Sequence, residues 1–258
     1  MNKIKDAFKN GKAFIGFIAA GDPNIEKTAD FIKVMEKSGV DLIELGIPFS
    51  DPAADGPVIQ QASIRALESG VTPDKIFDML DDIKDEISIP IVLLTYLNPV
   101  FNYGYEKFFA KCASLGVEGV IIPDLPYEEC GELAEFSDKY GVALIQFIAP
   151  TSRNRIGMIA KDAKGFIYCV SSLGVTGIKK EITTDLKTIT EIIRSVSDVP
   201  VAVGFGIASP EQAAEIAACA DGVIVGSAIV KIIAEHGINA DRYIADYVSS
   251  MKKAVSEI

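Results

Sequence analysis

Residues 42–57 read LIELGIPFSDPAADGP, a short apolar run followed by a proline-rich loop. The run contains one carboxylate, Glu44, with branched apolar neighbours on both sides, so either face of a strand would bury it. Burying an unpaired charge is costly, and such a group usually shifts its pKa or takes part in chemistry. We therefore expect a strand at Leu42–Gly46 and a functional role for Glu44. The alternative is that Glu44 pairs with a buried polar group.

The same local pattern recurs along the chain. A helical stretch ends in Gly or a small polar residue, a short Val/Ile/Leu run follows, and a Gly, Pro or Asp turn comes next. Branched residues on both faces are typical of parallel strands covered by helices. Eight such runs occur: Ala13–Ala20, Leu42–Gly46, Ile91–Tyr96, Gly119–Ile122, Leu144–Ile148, Phe166–Val170, Val201–Gly204 and Gly222–Val225.

Strands that alternate with helices predict an α/β fold, a single (β/α)8 TIM-barrel domain spanning residues 1–258. Extra helices are expected, including a short one at the N-terminus. A doubly wound open sheet is the main alternative, but no Gly-rich dinucleotide fingerprint follows the first strand. Apolar spacing predicts helices at Ile25–Glu36, Tyr105–Leu115, Glu128–Tyr140, Arg153–Lys161, Asp185–Ser195 and Pro210–Ala218, with two more within residues 58–87.

Composition and charge exclude several classes of protein. A net charge of -11 disfavours binding to nucleic acid or to an anionic membrane, because both reward a basic surface. The N-terminal lysines and the apolar run 13–20 imitate a secretory signal, but Asp6 interrupts the basic segment, and residues 21–24 predict a strand-to-helix turn. No apolar run reaches the ~18 residues of a membrane span. We expect a cytoplasmic protein with reduced cysteines.

Reactive groups of such barrels lie at the C-terminal ends of strands and in the loops that follow. None of the predicted strands contains Lys or His, which disfavours a Schiff-base lysine or a strand histidine. Glu44 and Asp55 form the best pair, because prolines and a Gly turn the loop back between and after them. Two carboxylates in different surroundings can hold different protonation states. The alternative for Asp55 is a turn-forming role.

Later loops predict a phosphate site and a lid. Gly204–Gly206 follows the seventh strand, and Gly226–Ser227 follows the eighth at the start of an apolar helix. Backbone N–H groups at such turns and helix starts bind phosphate, although these glycines could simply permit tight turns. The long Gly-marked stretch 171–182 predicts a lid, in which the Thr176 hydroxyl could bond a carboxylate. A plain exposed loop is the alternative.

Several segments together resemble one family, the tryptophan synthase alpha chain. The likeness follows the chain in order and spans nearly all of it. It is carried by Gly21-Asp22-Pro23, residues 44–57, Asn98-Pro99-Val100-Phe101, Asp124-Leu125-Pro126, Gly174-Val175-Thr176-Gly177, Gly204-Phe205-Gly206-Ile207 and Gly226-Ser227-Ala228-Ile229-Val230.

The resemblance implies a carbon–carbon lyase of L-tryptophan biosynthesis. Its reaction is the retro-aldol cleavage of indole-3-glycerol phosphate to indole and glyceraldehyde 3-phosphate. By this likeness, Glu44 is the acid and base at indole C3 and at the glycerol hydroxyl. Asp55 accepts the indole N–H and stabilises the cationic intermediate. No metal or organic cofactor is implied for this chain.

The resemblance also implies substrate-binding residues. Tyr168 lies near the catalytic glutamate, and the hydroxyl of Thr176 bonds the loop carboxylate. Ser172 departs from family members that carry Arg at this lid position. The indole is surrounded by Phe17, Leu94, Ile121 and Ile148, and the remaining substrate and phosphate contacts are Gly177, Phe205, Gly206, Gly226 and Ser227.

An assembly is implied as well, a complex of two alpha and two beta chains whose pyridoxal phosphate belongs to the beta chain. The interface would use the Pro52 loop, Asn98–Asn102 and the turn Asp124–Pro126, and binding would raise activity. Three alternatives remain at this point. They are a stand-alone lyase that releases indole, another phosphate-binding barrel such as a sugar-phosphate isomerase or epimerase, and a silent subunit that only activates a partner.

Overall fold

The computed structural model describes residues 3–170, 180–204 and 206–258, and in these residues parallel strands close a barrel in chain order. The last strand pairs with the first, which completes the predicted TIM barrel. All eight predicted strands are confirmed, with shifted ends: the third stops before Thr95, and the fourth begins earlier than expected. The strands are β1 Ala13–Ala19, β2 Leu42–Gly46, β3 Ile91–Leu94, β4 Val117–Ile121, β5 Ala143–Ile148, β6 Ile167–Val170, β7 Val201–Gly204 and β8 Gly222–Val225.

Helices cover the outside of the barrel. They are α1 Ile25–Lys37, α2 Pro57–Glu68, α3 Pro73–Ile83, α4 Leu97–Tyr103, α5 Tyr105–Ser114, α6 Gly131–Tyr140, α7 Ile156–Asp162, α8 Lys180–Arg194, α9 Pro210–Ala217, α10 Ser227–His236 and α11 Asp241–Ser256. Short 3-10 turns add Lys3–Phe8, Tyr127–Glu129, Pro150–Arg155 and Gly237–Asn239. No helix in the described ranges is long and apolar enough to span a membrane.

Two helices, α4 and α11, were not predicted from the sequence. Pro99 lies in the first turn of α4, where a backbone N–H has no helical partner, so the proline is tolerated. In α11, buried Ile244, Val248, Met251 and Val255 recur every three or four residues and face α1 and α9. The predicted helices at Glu128 and Arg153 are shorter than expected because their first turns are 3-10.

Side-chain alternation along the strands divides the core into an inner and an outer part. The inner cluster fills the barrel and includes Leu42, while Ile43 and Leu45 belong to the outer cluster between strands and helices. Because successive side chains of a strand point to opposite faces, Glu44 shares the inner face with Leu42. The inner cluster consists of Ile4, Ala13, Ile15, Leu42, Val92, Ile121, Ala143, Ile145, Phe166, Tyr168, Ala202 and Ile224.

Carboxylates fasten neighbouring strands at the N-terminal end of the barrel. Asp41 accepts the Phe14 N–H at 2.7 Å and the Lys252 ammonium at 2.6 Å, and its own N–H bonds the Phe14 carbonyl. Asp221 repeats this arrangement, accepting the Val201 N–H at 2.9 Å and the Arg194 guanidinium at 2.8 Å. Each aspartate thus fixes the register of two strands and connects them to a helix.

We expect Asp41→Ala to lower the free energy of unfolding by about 1–3 kcal/mol, because it leaves a strand N–H and an ammonium without their acceptor. Urea unfolding followed by circular dichroism measures this loss. The matched control is Asp81→Ala, which removes an exposed i,i+3 pair with Lys84 and should leave the midpoint nearly unchanged. Equal midpoints for both variants would contradict a fastening role for Asp41.

Candidate active site

Glu44 lies inside the barrel at the centre of β2. Its residue surface is 1% exposed. The parallel register places it beside Phe17 of β1 and Val92 of β3. Among the described residues, none hydrogen-bonds its Oε2 atom. The carboxyl group therefore lies between apolar strand neighbours, and its Oε2 atom is left unsatisfied by the described residues.

Burial governs the protonation of Glu44. Loss of solvation raises its pKa to about 8, and the negative charge of Asp55 adds to the effect. At pH 7 the group is consequently a neutral carboxylic acid. An acid whose pKa lies near the working pH is well suited to both give and take a proton.

Asp55 lies in the loop after β2 and is more accessible than Glu44. Burial raises its pKa above the ordinary value, but a hydrogen bond with Tyr96 acts in the opposite direction. The surrounding loop is held on both sides, since the Ala54 N–H donates to the Tyr96 hydroxyl at 3.1 Å and the Gln60 amide donates to the Asp55 carbonyl at 2.8 Å. The two carboxyl groups thus have the unlike surroundings that separate an acid from an anion.

Tyr168 faces both carboxyl groups from β6. Its pKa is raised well above the usual value by burial and then by the charges of Glu44 and Asp55, so the phenol stays neutral. Its ring packs on Phe147 with centroids 4.8 Å apart. A β-carbon on Gly204 would lie 2.5 Å from the Tyr168 hydroxyl, so this position requires glycine. The sequence pattern that marks such a position is a glycine at the end of a strand.

Phe17 occupies the wall on the other side of the barrel. A β-carbon at Gly46 would lie 2.8 Å from the Phe17 ring, so the ring occupies the space that a side chain at position 46 would need. Phe17 packs in a small upper cluster with Ala19, Ala62 and Val230. This cluster forms an apolar wall at the C-terminal end of the barrel.

The structure brings most of the predicted apolar residues together. Ile121 belongs to the same inner cluster as Tyr168, and Leu94 packs against both this cluster and the upper cluster of Phe17. Ile148 instead lies in the outer cluster. Alternation along β5 gives the inner position to Phe147, and Ile148 therefore faces the helices.

The predicted phosphate residues lie at turns and a helix start. Gly226 is the N-cap of α10 and Ser227 is its first residue. Gly206 adopts a positive φ of 76°, and a β-carbon there would meet no atom within 4 Å. Free N–H groups at a helix start suit an anion. The other predicted contacts and lid residues, Ser172, Thr176, Gly177 and Phe205, lie outside the described residues.

Sequence reasoning missed two polar contacts near the site. Tyr96 was included in the third strand without a role, although a hydroxyl at a strand end is a recognisable signal. Asp22, which follows β1, is buried and accepts hydrogen bonds from the Arg65 guanidinium of α2 at 2.8 and 2.7 Å. This bidentate pair assigns Asp22 a structural role, which spacing could not reveal because its partner lies far along the chain.

Within the described ranges, no cluster of three or more His, Cys, Asp or Glu could hold a metal ion.

We expect Glu44→Gln to be more stable than the natural chain, by a margin that grows between pH 4.5 and about 8. In this window the unfolded chain has released the Glu44 proton while the folded protein still holds it, so rising pH disfavours the folded state. Gln carries no charge and removes this dependence. Thermal unfolding of both proteins at several pH values measures the margin, and a constant difference would contradict a neutral, buried Glu44.

Known proteins are similar to this chain in architecture and in sequence. A model of the family described as tryptophan synthase alpha chain matches residues 4–256. A tryptophan synthase alpha chain from Lactiplantibacillus plantarum is 51% identical over 99% of this chain and 97% of that protein. Among solved structures, tryptophan synthase subunit alpha from Legionella pneumophila has a TM-score of 0.91 with 36% identity, and the match covers 100% of both chains. A chain in a tryptophan synthase α2β2 complex from Pyrococcus furiosus has a TM-score of 0.86 with 34% identity, and the match covers 94% of this chain and 98% of that one. The chain belongs to the tryptophan synthase alpha chain family, the subunit that cleaves indole-3-glycerol phosphate in tryptophan biosynthesis.

Proposed function

We propose that Glu44 and Asp55 perform the carbon–carbon lyase reaction of this family in the present chain. The observation that carries the proposal is the enclosed, neutral Glu44 beside a more accessible Asp55. The reaction cleaves indole-3-glycerol phosphate into indole and glyceraldehyde 3-phosphate. A carbon acid–base step of this kind needs one group that is protonated at rest and one that is anionic.

The first step is protonation of the indole ring. Glu44 transfers its proton to C3, and the ring electron pair that forms the new C–H bond leaves a positive charge shared with the ring nitrogen. Asp55, as a carboxylate, accepts a hydrogen bond from the ring N–H and stabilises this charge electrostatically. Glu44 is left as a buried carboxylate, which is a strong base in this apolar environment.

The second step breaks the carbon–carbon bond. Glu44 removes the proton of the hydroxyl on the carbon attached to the ring, and the oxygen electron pair forms the aldehyde carbonyl. The bond between that carbon and C3 breaks, and its electrons restore the aromatic indole. Glu44 is again protonated and Asp55 is still an anion, so protons and charges balance without a cofactor in this chain.

Substrate orientation follows from the surrounding walls. We place the indole among Phe17, Leu94, Ile121 and Tyr168, which line the C-terminal half of the barrel interior. The phosphate would lie at the start of α10, held by Gly226, Ser227 and Gly206. Contacts from Thr176, Gly177 and Phe205 remain predictions of the sequence, and the outward position of Ile148 argues against direct contact with the indole.

We expect Glu44→Gln to lower kcat by about 10²–10⁴-fold while the chain still folds and binds substrate, because the proton donor is removed. For the natural chain, kcat/KM should fall as pH rises through about 8, where Glu44 loses its proton. Indole release from indole-3-glycerol phosphate measures both effects.

Asp55→Asn should lower kcat with little change in KM, since a neutral amide stabilises the cationic ring poorly. The matched control is Asp51→Asn in the same loop, because Asp51 is exposed and bonds only Ser50 among the contacts that the structure describes. A change confined to KM in Asp55→Asn would make Asp55 a binding residue, and a wild-type kcat in Glu44→Gln would exclude Glu44 as the catalyst.

We further propose that the chain works with a beta chain in a complex of two alpha and two beta chains, and that pyridoxal phosphate resides in the beta chain. Support comes from α4, where the Phe101 side chain is 65% exposed. Leu97 at the start of α4 donates its N–H to Asp124 at 2.9 Å, which joins this helix to the turn Asp124–Pro126. An exposed aromatic on such a fixed platform suits a protein partner. The relative from Pyrococcus furiosus is a component of an α2β2 complex.

Two broader features belong to the same proposal. We infer a single domain over residues 1–258, since one barrel takes strands from residues 13–225 and α11 packs back on α1 and α9. We also infer a cytoplasmic location, in keeping with the biosynthetic role of the family.

We expect Phe101→Ser to weaken binding of a beta chain by at least about tenfold, because a large aromatic side chain that a partner buries is a typical hot spot. Indole release by the isolated variant should stay at the level of the natural chain. Isothermal titration calorimetry measures the affinity, and Ile238→Ser, which removes an apolar side chain of 55% exposure outside the proposed interface, serves as the control. Unchanged affinity in Phe101→Ser would exclude α4 from the interface.

Equal indole release by the natural chain with and without beta chain would indicate a stand-alone lyase.

A further inference from the structure

We propose that Tyr96 is a positioning residue for the lyase reaction, whose hydroxyl holds the loop 50–56 and presents the Asp55 carboxylate to the ring nitrogen of the substrate. The inference rests on the role proposed above for Asp55. It concerns a residue that does not itself touch the reacting atoms.

Tyr96 is fixed in place by its surroundings. It follows β3, forms the N-cap position of α4 and is 2% exposed. Its ring lies against Phe49, with centroids 5.5 Å apart and an interplanar angle of 32°. Phe49 belongs to the segment that leads from β2 to Asp55, so the ring contact and the hydroxyl act on the same loop.

The hydrogen-bonding capacity of the phenol determines what it does at Asp55. The Ala54 N–H donates to the hydroxyl oxygen at 3.1 Å, which uses the oxygen as an acceptor. The single phenol proton is then available to the carboxylate of Asp55, the next residue of the loop, where it lowers the pKa of that group against the effect of burial. A hydrogen bond from the Tyr96 hydroxyl needs an acceptor oxygen on Asp55. Such a bond therefore favours the anionic form of Asp55 and restricts the rotation of its carboxylate.

The charged and titratable groups around Tyr96 and Asp55 keep the Tyr96 phenol protonated. Burial and the charges of Asp55 and Asp124 raise the pKa of Tyr96 above its usual value, so the phenol keeps its proton and remains a donor. Glu44 on β2 is neutral near pH 7, and Tyr168 on β6 is a neutral phenol. Within the described part of the chain, Tyr96 is thus the donor that opposes the effect of burial on Asp55.

A merely structural tyrosine would affect different quantities. If the ring only fills space, removing the hydroxyl should leave kcat and its pH dependence intact. If the hydroxyl positions Asp55, its removal should lower kcat and shift the acid limb of the pH profile upward, because Asp55 then holds its proton to higher pH. Substrate affinity should change little in that case, since the indole walls and the phosphate site are untouched.

The decisive experiment compares Tyr96→Phe, Asp55→Asn and the double variant with the natural chain. Tyr96→Phe keeps the ring on Phe49, and we expect kcat to fall by about 10- to 100-fold, as for the loss of a hydrogen bond to a charged group. KM should stay similar and the acid limb should move to higher pH. In the Asp55→Asn background the same change should add little, because the two residues act as one unit.

Controls separate the possible failures. Tyr103→Phe removes another hydroxyl of α4, which bonds exposed Asp74 at 2.8 Å, and should leave kcat and the pH profile unchanged. Phe49→Leu loosens the ring contact without touching the hydroxyl and should give a smaller effect of the same kind, which also tests the idea if Tyr96→Phe does not fold. A wild-type kcat and acid limb in Tyr96→Phe, or in Phe49→Leu if that is the variant available, would overturn the positioning role while leaving Asp55 in place. A wild-type kcat in Asp55→Asn would instead overturn the function proposed for Asp55.

Discussion

Glu44 stays neutral near pH 7 because the barrel walls keep water away from its carboxyl group. The exclusion of water from Glu44 also limits which residues can lie around it. Tyr168 must be a phenol that keeps its proton, and Gly204 must lack a side chain so that the ring fits. Asp55 lies in the more accessible loop, where burial raises its pKa and Tyr96 opposes this effect. A single enclosed carboxyl group thus organises both the electrostatics and the shape of this end of the barrel.

The two ends of the barrel treat the same residue type in opposite ways. Asp41 and Asp221 at the N-terminal end accept backbone N–H groups and a cationic side chain each, so their charges are well compensated. Glu44, which faces the C-terminal end, has an oxygen that no described residue satisfies. Satisfied carboxylates hold strands in register, whereas an unsatisfied one is ready to exchange a proton. This separation lets the scaffold be stable while the proposed proton donor keeps an uncompensated oxygen.

The sequence predicted much of this arrangement because its strongest signals are local. Branched apolar runs separated by turns predicted the strands. A carboxylate within such a run predicted that Glu44 is a buried ionisable residue. Other features depend on distant partners or on a choice between equivalent residues. Phe147 and Ile148 are both apolar, so only the register of β5 decides which one faces inward. The pairing of Asp22 with Arg65 joins the turn after the first strand to a helix beyond the second, and the role proposed for Tyr96 depends on a loop that folds back onto it. Neither contact produces a periodic pattern in the sequence.

The unfavourable environment of Glu44 also has an evolutionary consequence. Selection for folding alone would not retain a charged-type residue at position 44, since an apolar or amide side chain fits this interior at lower cost. Selection for folding would retain Asp41 and Asp221, which contribute directly to the scaffold. With the role proposed for Glu44, a gene copy released from its biosynthetic task should therefore lose the glutamate first and keep the barrel, leaving a stable protein without its reaction.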